Sequence, residues 1–411
     1  MKTPSDLIDR FVRYCRIDTQ ADPTSTTVPS TEKQKDLGRL LTRELEELGA
    51  RDVRMDRFGY VTATLPGASS KPVIALFAHM DTSPDAPGAG VTPLIHESWD
   101  GSVIRLPGDP SVTIDPARQP ALLGHIGEDL ITSDGSTLLG SDDKAGVAVM
   151  MQIAADWESL AGPLPETRLC FTIDEEIGRG VDNLDLNALD ATIGYTIDGS
   201  GVDTISFETF NAAAARITIS GVGVHPGYAK GILVNAIRIA AELVSMLPES
   251  ENPESTEGRE GYYHAHTLGR GGADKASLGL ILRDFSWEGL SARKAFLRQV
   301  VDTLSKRHPK AVIILEIEDN YRNMRSYIED TDPRAVSFAV AAAAEIGVSL
   351  ENELVRGGTD GSRLSEMGLP TPNIFNGGHD YHSCFEWNTS QSLERSLVYV
   401  KQLLGYWGRN G

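Results

Sequence analysis

Val73-Ile74-Ala75-Leu76-Phe77-Ala78, followed at once by His79-Met80-Asp81, decides the architecture. Six consecutive apolar residues between Pro72 and a polar cluster read as a strand covered on both faces, because a half-exposed strand would alternate. Arg168-Leu169-Cys170-Phe171-Thr172-Ile173 and Ala191-Thr192-Ile193-Gly194-Tyr195-Thr196 have the same character. Between the first and second runs, Lys144 to Leu160 carries helical periodicity through Val147, Met150, Met151 and Ala154. Upstream, Ser30 precedes an amphipathic helix from Glu32 to Leu48 that Gly49 closes, and Val53 to Leu65 reads as extended chain. Buried strands alternating with helices predict an α/β domain with a mostly parallel central sheet.

From about Phe207 the pattern changes. Ala215 to Ile219 alternates as a half-buried strand, Asn235 to Leu247 is helical, and Pro248 to Gly261 is a loop rich in Glu, Pro and Gly. Tyr262 to Leu268 and Ala276 to Asp284 follow as strands, then a helix from Leu290 to Leu304 and a strand from Ala311 to Glu318. That order is β-α-β-β-α-β, the ferredoxin-like unit. Helical signal returns at Pro333 to Ile346 and Gln391 to Leu404. We therefore expect a domain formed by residues 1–207 and 320–411, interrupted by an inserted α+β domain at 208–319. A length of 411 residues accommodates both.

Composition narrows the function. The chain carries 38 Lys+Arg against 58 Asp+Glu, a net charge of −20. Nucleic acids and anionic membranes reward a basic face, so neither is an expected partner. No stretch approaches the ~20 apolar residues of a spanning helix, and Met1 to Asp6 leads into amphipathic sequence with no apolar leader. Cys15, Cys170 and Cys384 are odd in number and far apart, which predicts no disulfide framework or thiolate cluster and a cytoplasmic setting.

The chemistry-bearing residues cluster just after the apolar runs, where open α/β sheets place their sites. His79 and Asp81 flank Met80 in extended chain and share a side. A metal-bound imidazole commonly donates its second N–H to a carboxylate, which fixes the tautomer. Gly140-Ser141-Asp142-Asp143-Lys144-Ala145-Gly146 opens a helix with more acid than a cap requires. Asp174-Glu175-Glu176 places three mutually repelling acids at a strand end, Asp198-Gly199 follows another, and His382-Ser383-Cys384-Phe385-Glu386 follows the Gly377-Gly378 loop. Each alone has an ordinary reading as a cap, turn or loop. Together, two imidazoles (His79, His382) and three carboxylates (Asp142, Glu176, Asp198) form a nitrogen–oxygen donor set suited to Zn²⁺, Mn²⁺ or Co²⁺. Five ligands exceed one open catalytic zinc, so two divalent ions are inferred, ~3.5–4 Å apart with a shared carboxylate.

These motifs, in this order, resemble the M20 metallopeptidases: His79-Met80-Asp81-Thr82, Thr137 to Gly146, Asp174 to Gly178, Asp198-Gly199 and Tyr381-His382. Within that family, Gly223 to Gly231 around His225, Arg283-Asp284-Phe285 and Arg356-Gly357-Gly358-Thr359-Asp360-Gly361 look like the tripeptide aminopeptidases. The resemblance runs from near the N-terminus to the last helix. It implies a zinc-peptidase-like catalytic domain with a lid domain inserted into it. His79 and Asp198 would hold one ion, Glu176 and His382 the other, and Asp142 would bridge them. Asp81 would orient His79, Glu175 would be the general base, and the Asp142–Asp143 peptide would be cis. His225 would reach the tetrahedral oxyanion, while Arg283 and Arg356 are options for the substrate's C-terminal carboxylate or for structural ion pairs. The family often has Ala in place of Ser141 and commonly Gly-Lys-His-Glu after the ligand histidine. Here Ser383-Cys384-Phe385-Glu386 stands, with the four-residue spacing from His382 to Glu386 intact.

The expected reaction is metal-assisted hydrolysis of the first peptide bond of a short peptide, with zinc as the first choice of ion and a homodimer left open. The rivals are another M20-type hydrolase, acting on dipeptides or on N-acyl or N-carbamoyl amino acids, and a non-catalytic metal-binding protein. His379 competes weakly with His382 as a ligand. His96, His125, His264, His266 and His308 read as surface or strand residues, and Gly269 to Gly272 as turns. No G-x-S-x-G elbow is present, which disfavours a serine hydrolase.

Overall fold

The computed structural model describes residues 6–68 and 70–411, so the reading of Met1 to Ser5 lies outside the described residues. Eight strands form the central sheet, in the spatial order Arg51–Met55, Val61–Leu65, Thr167–Thr172, Ile74–His79, Ile193–Gly199, Asn373–Phe375, Thr204–Thr209 and Glu351–Val355. The four middle strands run parallel, and antiparallel pairs flank them on both sides. Every residue of Ile74–His79 is buried, as its unbroken apolar run predicted. The three parallel strands Ile74–His79, Thr167–Thr172 and Ile193–Gly199 end at one edge, which brings their following loops together.

Helix Ser141–Asp156 packs on this sheet and is apolar all round, the mark of a helix with no solvent face. Its core side chains Val147, Met150, Met151 and Ile153 are fully buried, so truncating one to Ala costs about 2–5 kcal/mol. Gly146 makes the close approach possible, because a Cβ there would lie 2.4 Å from the Ile197 carbonyl oxygen. Asp142 and Asp143 are counted in this helix but have non-helical dihedrals, so regular helix starts near Lys144, as the periodicity indicated. Helices Asp6–Cys15 and Ser390–Asn410 also pack against it. A smaller sheet of Leu94–His96, Leu130–Thr132 and Trp387–Thr389 anchors a subcluster built on Trp99, Leu106, Ile114, Leu122 and Trp387.

The chain separates into two compact units. One comprises Met1–Phe207, Tyr327–Glu353 and Thr359–Gly411, and the other Glu208–Ser326 with Leu354–Gly358. The second crossing therefore falls later than the sequence placed it, and five residues around Arg356 return to the inserted unit. That unit has the expected β-α-β-β-α-β order. Its antiparallel sheet runs Tyr262–Arg270, Lys275–Asp284, Asn211–Ser220, Val312–Tyr321, with helices Ala236–Ser245 and Trp287–Arg307 on one face. Asn235 caps the first helix through its side chain, which accepts from the Ile237 and Arg238 amides. Ile217, Ile219, Leu243, Leu280, Leu297 and Leu304 form its core. The Gly269–Gly272 segment is a correction: Gly269 and Arg270 finish a strand, and the turn itself falls on Ala273 and Asp274, just after Gly271 and Gly272.

Candidate metal centre

Side chains from three strand ends and one distant loop converge on Asp142. His79, the last residue of its strand, places Nε2 2.8 Å from Asp142 Oδ1 and 3.6 Å from Asp198 Oδ1. His382 places Nε2 3.2 Å from Asp142 Oδ2 and 2.8 Å from Glu176 Oε2. Each Asp142 oxygen thus faces a different imidazole, with one further carboxylate beside each. The ligand pairs inferred from the resemblance are neighbours in space. His382 is the accessible member, its side chain 41% exposed, whereas His79 is buried. The Asp142–Asp143 peptide is cis.

Two overlapping groups, His79/Asp142/Glu176 and His79/Asp143/Asp198, have ligand atoms within 4.8 Å of one another and could each hold a metal ion. The Glu176 Oε1 atom is buried with no hydrogen-bond partner among the described residues. A buried orphan acceptor is costly unless a cation satisfies it, so the residues fit a divalent ion. Electrostatics agree. Burial alone would depress the His79 imidazole, yet its hydrogen bond to Asp142 and the neighbouring Asp198 and Asp81 carboxylates hold it well above the usual range. Asp142 and Glu176 push His382 up to about 11. Burial, then the Asp142 charge, raises Glu176 to about 8 and Asp198 to about 6. Asp142 goes the other way, because the two imidazoles outweigh its burial.

The supporting residues were largely invisible in the sequence. His79 Nδ1 lies 3.0 Å from the backbone oxygen of Asp81 and 3.5 Å from its carboxylate. That carboxylate instead accepts from the Glu175 and Glu176 amides at 3.1 and 3.2 Å, fixing the turn that carries both glutamates. Asp174 turns away with φ 53°, and its carboxylate accepts from Ser30 N, Ser30 Oγ and Gln34 Nε2 at 2.7, 2.5 and 2.6 Å. Of the three consecutive acids, Asp174 is therefore turned away from Asp142. Asp143 accepts from His79 N, Gly146 N and Asn376 Nδ2, which ties strand, helix and loop together. Buried Glu386 accepts from the amides of Leu139, Gly140 and Asp142 at 2.8, 2.8 and 3.0 Å, so it shapes the loop presenting Asp142. Its four-residue spacing from His382 was the available signal. His379 does not join the ligands: its ring stacks on Trp387 at 4.2 Å and meets His125 edge-on. His125 is a correction, being buried against Trp387 with Nδ1 2.8 Å from Glu128.

The carboxylate of half-buried Glu175 has no hydrogen-bond or ion-pair partner among the described residues. Burial, reinforced by Asp198, Asp360 and Glu176 against His79, keeps it well above the ordinary carboxylate range. In the inserted unit, His225 sits on an exposed turn, where Nδ1 accepts from Gly227 N at 3.2 Å. Arg283 donates to the Leu282 carbonyl, lies over Tyr321 and has no carboxylate partner among the described residues. Arg356 is engaged by the carbonyls of Gly258 and Glu260 and by Thr256 Oγ1, with Phe210 and Tyr262 beneath it.

The chain is 42% identical over 99% of its length to peptidase T of Caldanaerobacter subterraneus subsp. tengcongensis, and the match covers 100% of that protein. It belongs to the peptidase T family. A family profile described as a peptidase dimerisation domain matches residues 207–312, most of the inserted unit. The fold also matches the crystal structures of an aminopeptidase from Bacillus cereus and a tripeptidase from Staphylococcus aureus. The first has TM-score 0.76 and 23% identity, covering 98% of this chain and 99% of that one. The second has TM-score 0.77 and 22% identity, covering 99% and 100%. Peptidase T membership agrees with the α/β architecture and inserted unit read from the sequence.

Proposed function

We propose that this peptidase T family member is a metal-dependent aminopeptidase that removes the N-terminal residue of tripeptides. The supporting observation is the grouping of two imidazoles and three carboxylates around Asp142, with one glutamate, Glu175, beside them and uncommitted. We assign His79 and Asp198 to one ion, Glu176 and His382 to a second, and Asp142 to both. The donor set favours zinc. Divalent ions, when bound, supply Lewis-acid polarisation of a carbonyl and a more acidic water. Glu175 takes the proton of the attacking water and returns it to the leaving amine, a task suited to a carboxylate whose proton affinity burial has raised above the ordinary range. Asp81 holds the amides of Glu175 and Glu176 and thereby aims both side chains.

His225 is assigned to the developing oxyanion, and Arg283 to the substrate's C-terminal carboxylate, since its fork lacks an acidic partner. Arg356, already donating to two carbonyls and a hydroxyl, shapes the inserted unit and is the weaker candidate for that carboxylate. The matched dimerisation domain supports a homodimer. Among the described residues no helix is long and apolar enough to cross a membrane, and the three cysteines are free, which supports a cytoplasmic setting. The test is a metal-replete assay of di-, tri- and tetrapeptides with products identified by mass spectrometry. Release of the first residue from tripeptides is expected. Exclusive cleavage of dipeptides or N-acyl amino acids, or no chelator-sensitive hydrolysis, would overturn the reading.

A further inference from the structure

His382 is the exposed member of the ligand group, and it is also held in an unfavourable backbone conformation. Its φ of 60° lies in the left-handed region, which residues with a Cβ rarely adopt, and Asp380 two residues earlier has φ 54°. A ligand imidazole is commonly steered by a carboxylate that accepts from its second nitrogen. That device is not closed here. His382 Nδ1 has no hydrogen-bond partner among the described residues, and the Asp85 carboxylate stands 3.6 Å away on a side chain that is 70% exposed. Placement of the ring therefore falls to the backbone that carries it.

The residue before it is tied to the heart of the centre. The Tyr381 hydroxyl donates to Asn376 Oδ1 at 2.6 Å, and the Gly378 amide donates to the same oxygen at 2.9 Å, which closes 376–381 into a loop. Asn376 is fully buried, and its Nδ2 donates to Asp143 Oδ1 at 3.0 Å. Asp143 accepts in turn from His79 N at 3.3 Å and from Gly146 N at 3.0 Å. A chain of hydrogen bonds thus runs from the neighbour of His382 to the backbone of His79 and to the residue beside Asp142. The Tyr381 ring fills space that only a glycine leaves free, since a Cβ on Gly378 would lie 2.5 Å from a ring carbon. Asp380 is held as well, by Gln119 Nε2 and Trp387 Nε1, which both donate to its Oδ2.

We propose that Tyr381 is a positioning residue for the metal centre: through Asn376 and Asp143 its hydroxyl holds His382 beside Asp142 and Glu176, and so sets the affinity of the subsite that His382 serves. The inference rests on the assignment of His382 as a ligand of the second ion. Tyr381→Phe is a mild change, because the ring stays and Asn376 Oδ1 keeps the Gly378 amide, so no buried acceptor is orphaned. The experiment titrates Zn²⁺ by calorimetry into metal-free wild type, Tyr381→Phe, His382→Ala and the double variant. Loss of one step in His382→Ala identifies the step that belongs to His382. Tyr381→Phe should weaken that step by about tenfold, the low end for residues that support a ligand, and leave the other within about twofold. In the double variant the remaining step should match that of His382→Ala alone. Equal weakening of both steps, no change in either, or a further loss in the double variant overturns the role of Tyr381 and leaves the ligand assignment standing. A wild type that takes up fewer than two ions, or a His382→Ala variant that keeps both steps, defeats the ligand assignment itself and this inference with it.

Discussion

Replacing Glu386 by Ala should loosen the metal centre without touching a ligand. The carboxylate is buried and accepts from three backbone amides, those of Leu139, Gly140 and Asp142. Truncation leaves all three N–H groups without their acceptor. Each buried orphan costs roughly 1–3 kcal/mol, and the terms are not additive, so a loss of about 3–5 kcal/mol is expected. That is a large share of the ~5–15 kcal/mol that keeps a domain folded. Glu386→Gln retains a carbonyl oxygen for Leu139 and Gly140 and fails only toward Asp142, so it should lose about half as much or less.

Proton linkage gives a second signature. Burial raises Glu386 from its ordinary value of 4.5 to about 7 in the folded protein. The folded state therefore binds more protons than the unfolded one between these values, and this group's contribution to stability falls as pH rises through them. The gap between metal-free wild type and Glu386→Ala should accordingly narrow from pH 5 to pH 8. Urea denaturation of the chelator-treated proteins at these two pH values measures both effects, and metal titration by calorimetry reads the centre itself. An Ala variant within 1 kcal/mol of wild type at pH 5 with unchanged metal affinity, or a Gln variant as damaged as the Ala one, would refute the assignment of Glu386 as the loop's anchor.

Glu175→Ala should abolish turnover and leave metal content, measured by elemental analysis, at the wild-type level. Near-native kcat would remove Glu175 from the general-base role. Metal affinity should rise from pH 6 to pH 8 in calorimetric titrations, because His382, raised to about 11, and Glu176, raised to about 8, must release protons to coordinate. The same shifts predict a metal-free protein whose stability falls as pH climbs through those values, and a flat affinity profile would contradict both statements. C-terminally amidated tripeptides and the variant Arg283→Ala should each raise KM by about tenfold or more, the worth of a charge-assisted carboxylate contact. Amidated substrates cleaved as fast as free ones would exclude carboxylate capture.

The sequence by itself determined the strands Ile74–His79, Thr167–Thr172 and Ile193–Gly199, because a run of apolar residues with no alternation has only one comfortable place, a sheet covered on both faces. It also determined the inserted β-α-β-β-α-β unit, through the change from continuous to alternating hydrophobicity, and the identity of the five ligand candidates, since they follow those strands or stand in recognisable motifs. Periodicity is local, and it is legible for that reason. Strands Thr204–Thr209, Glu351–Val355 and Asn373–Phe375 escaped notice because they are held by pairing with distant chain and carry little pattern of their own.

Only the tertiary structure decided which of the adjacent acids do what. Asp174, Glu175 and Glu176 are chemically near-equivalent neighbours in the chain, yet a left-handed turn at Asp174 sends its carboxylate to Ser30 and Gln34, while Glu176 meets His382. The same holds for Asp142 and Asp143, one facing both imidazoles and the other bound to backbone and Asn376. His125 proved buried, and Glu386 proved to be the anchor of a loop some 240 residues away in the chain. A side chain's protonation, partners and direction depend on what long-range folding brings to it. Residue type and spacing name the possible chemistry, and packing assigns it.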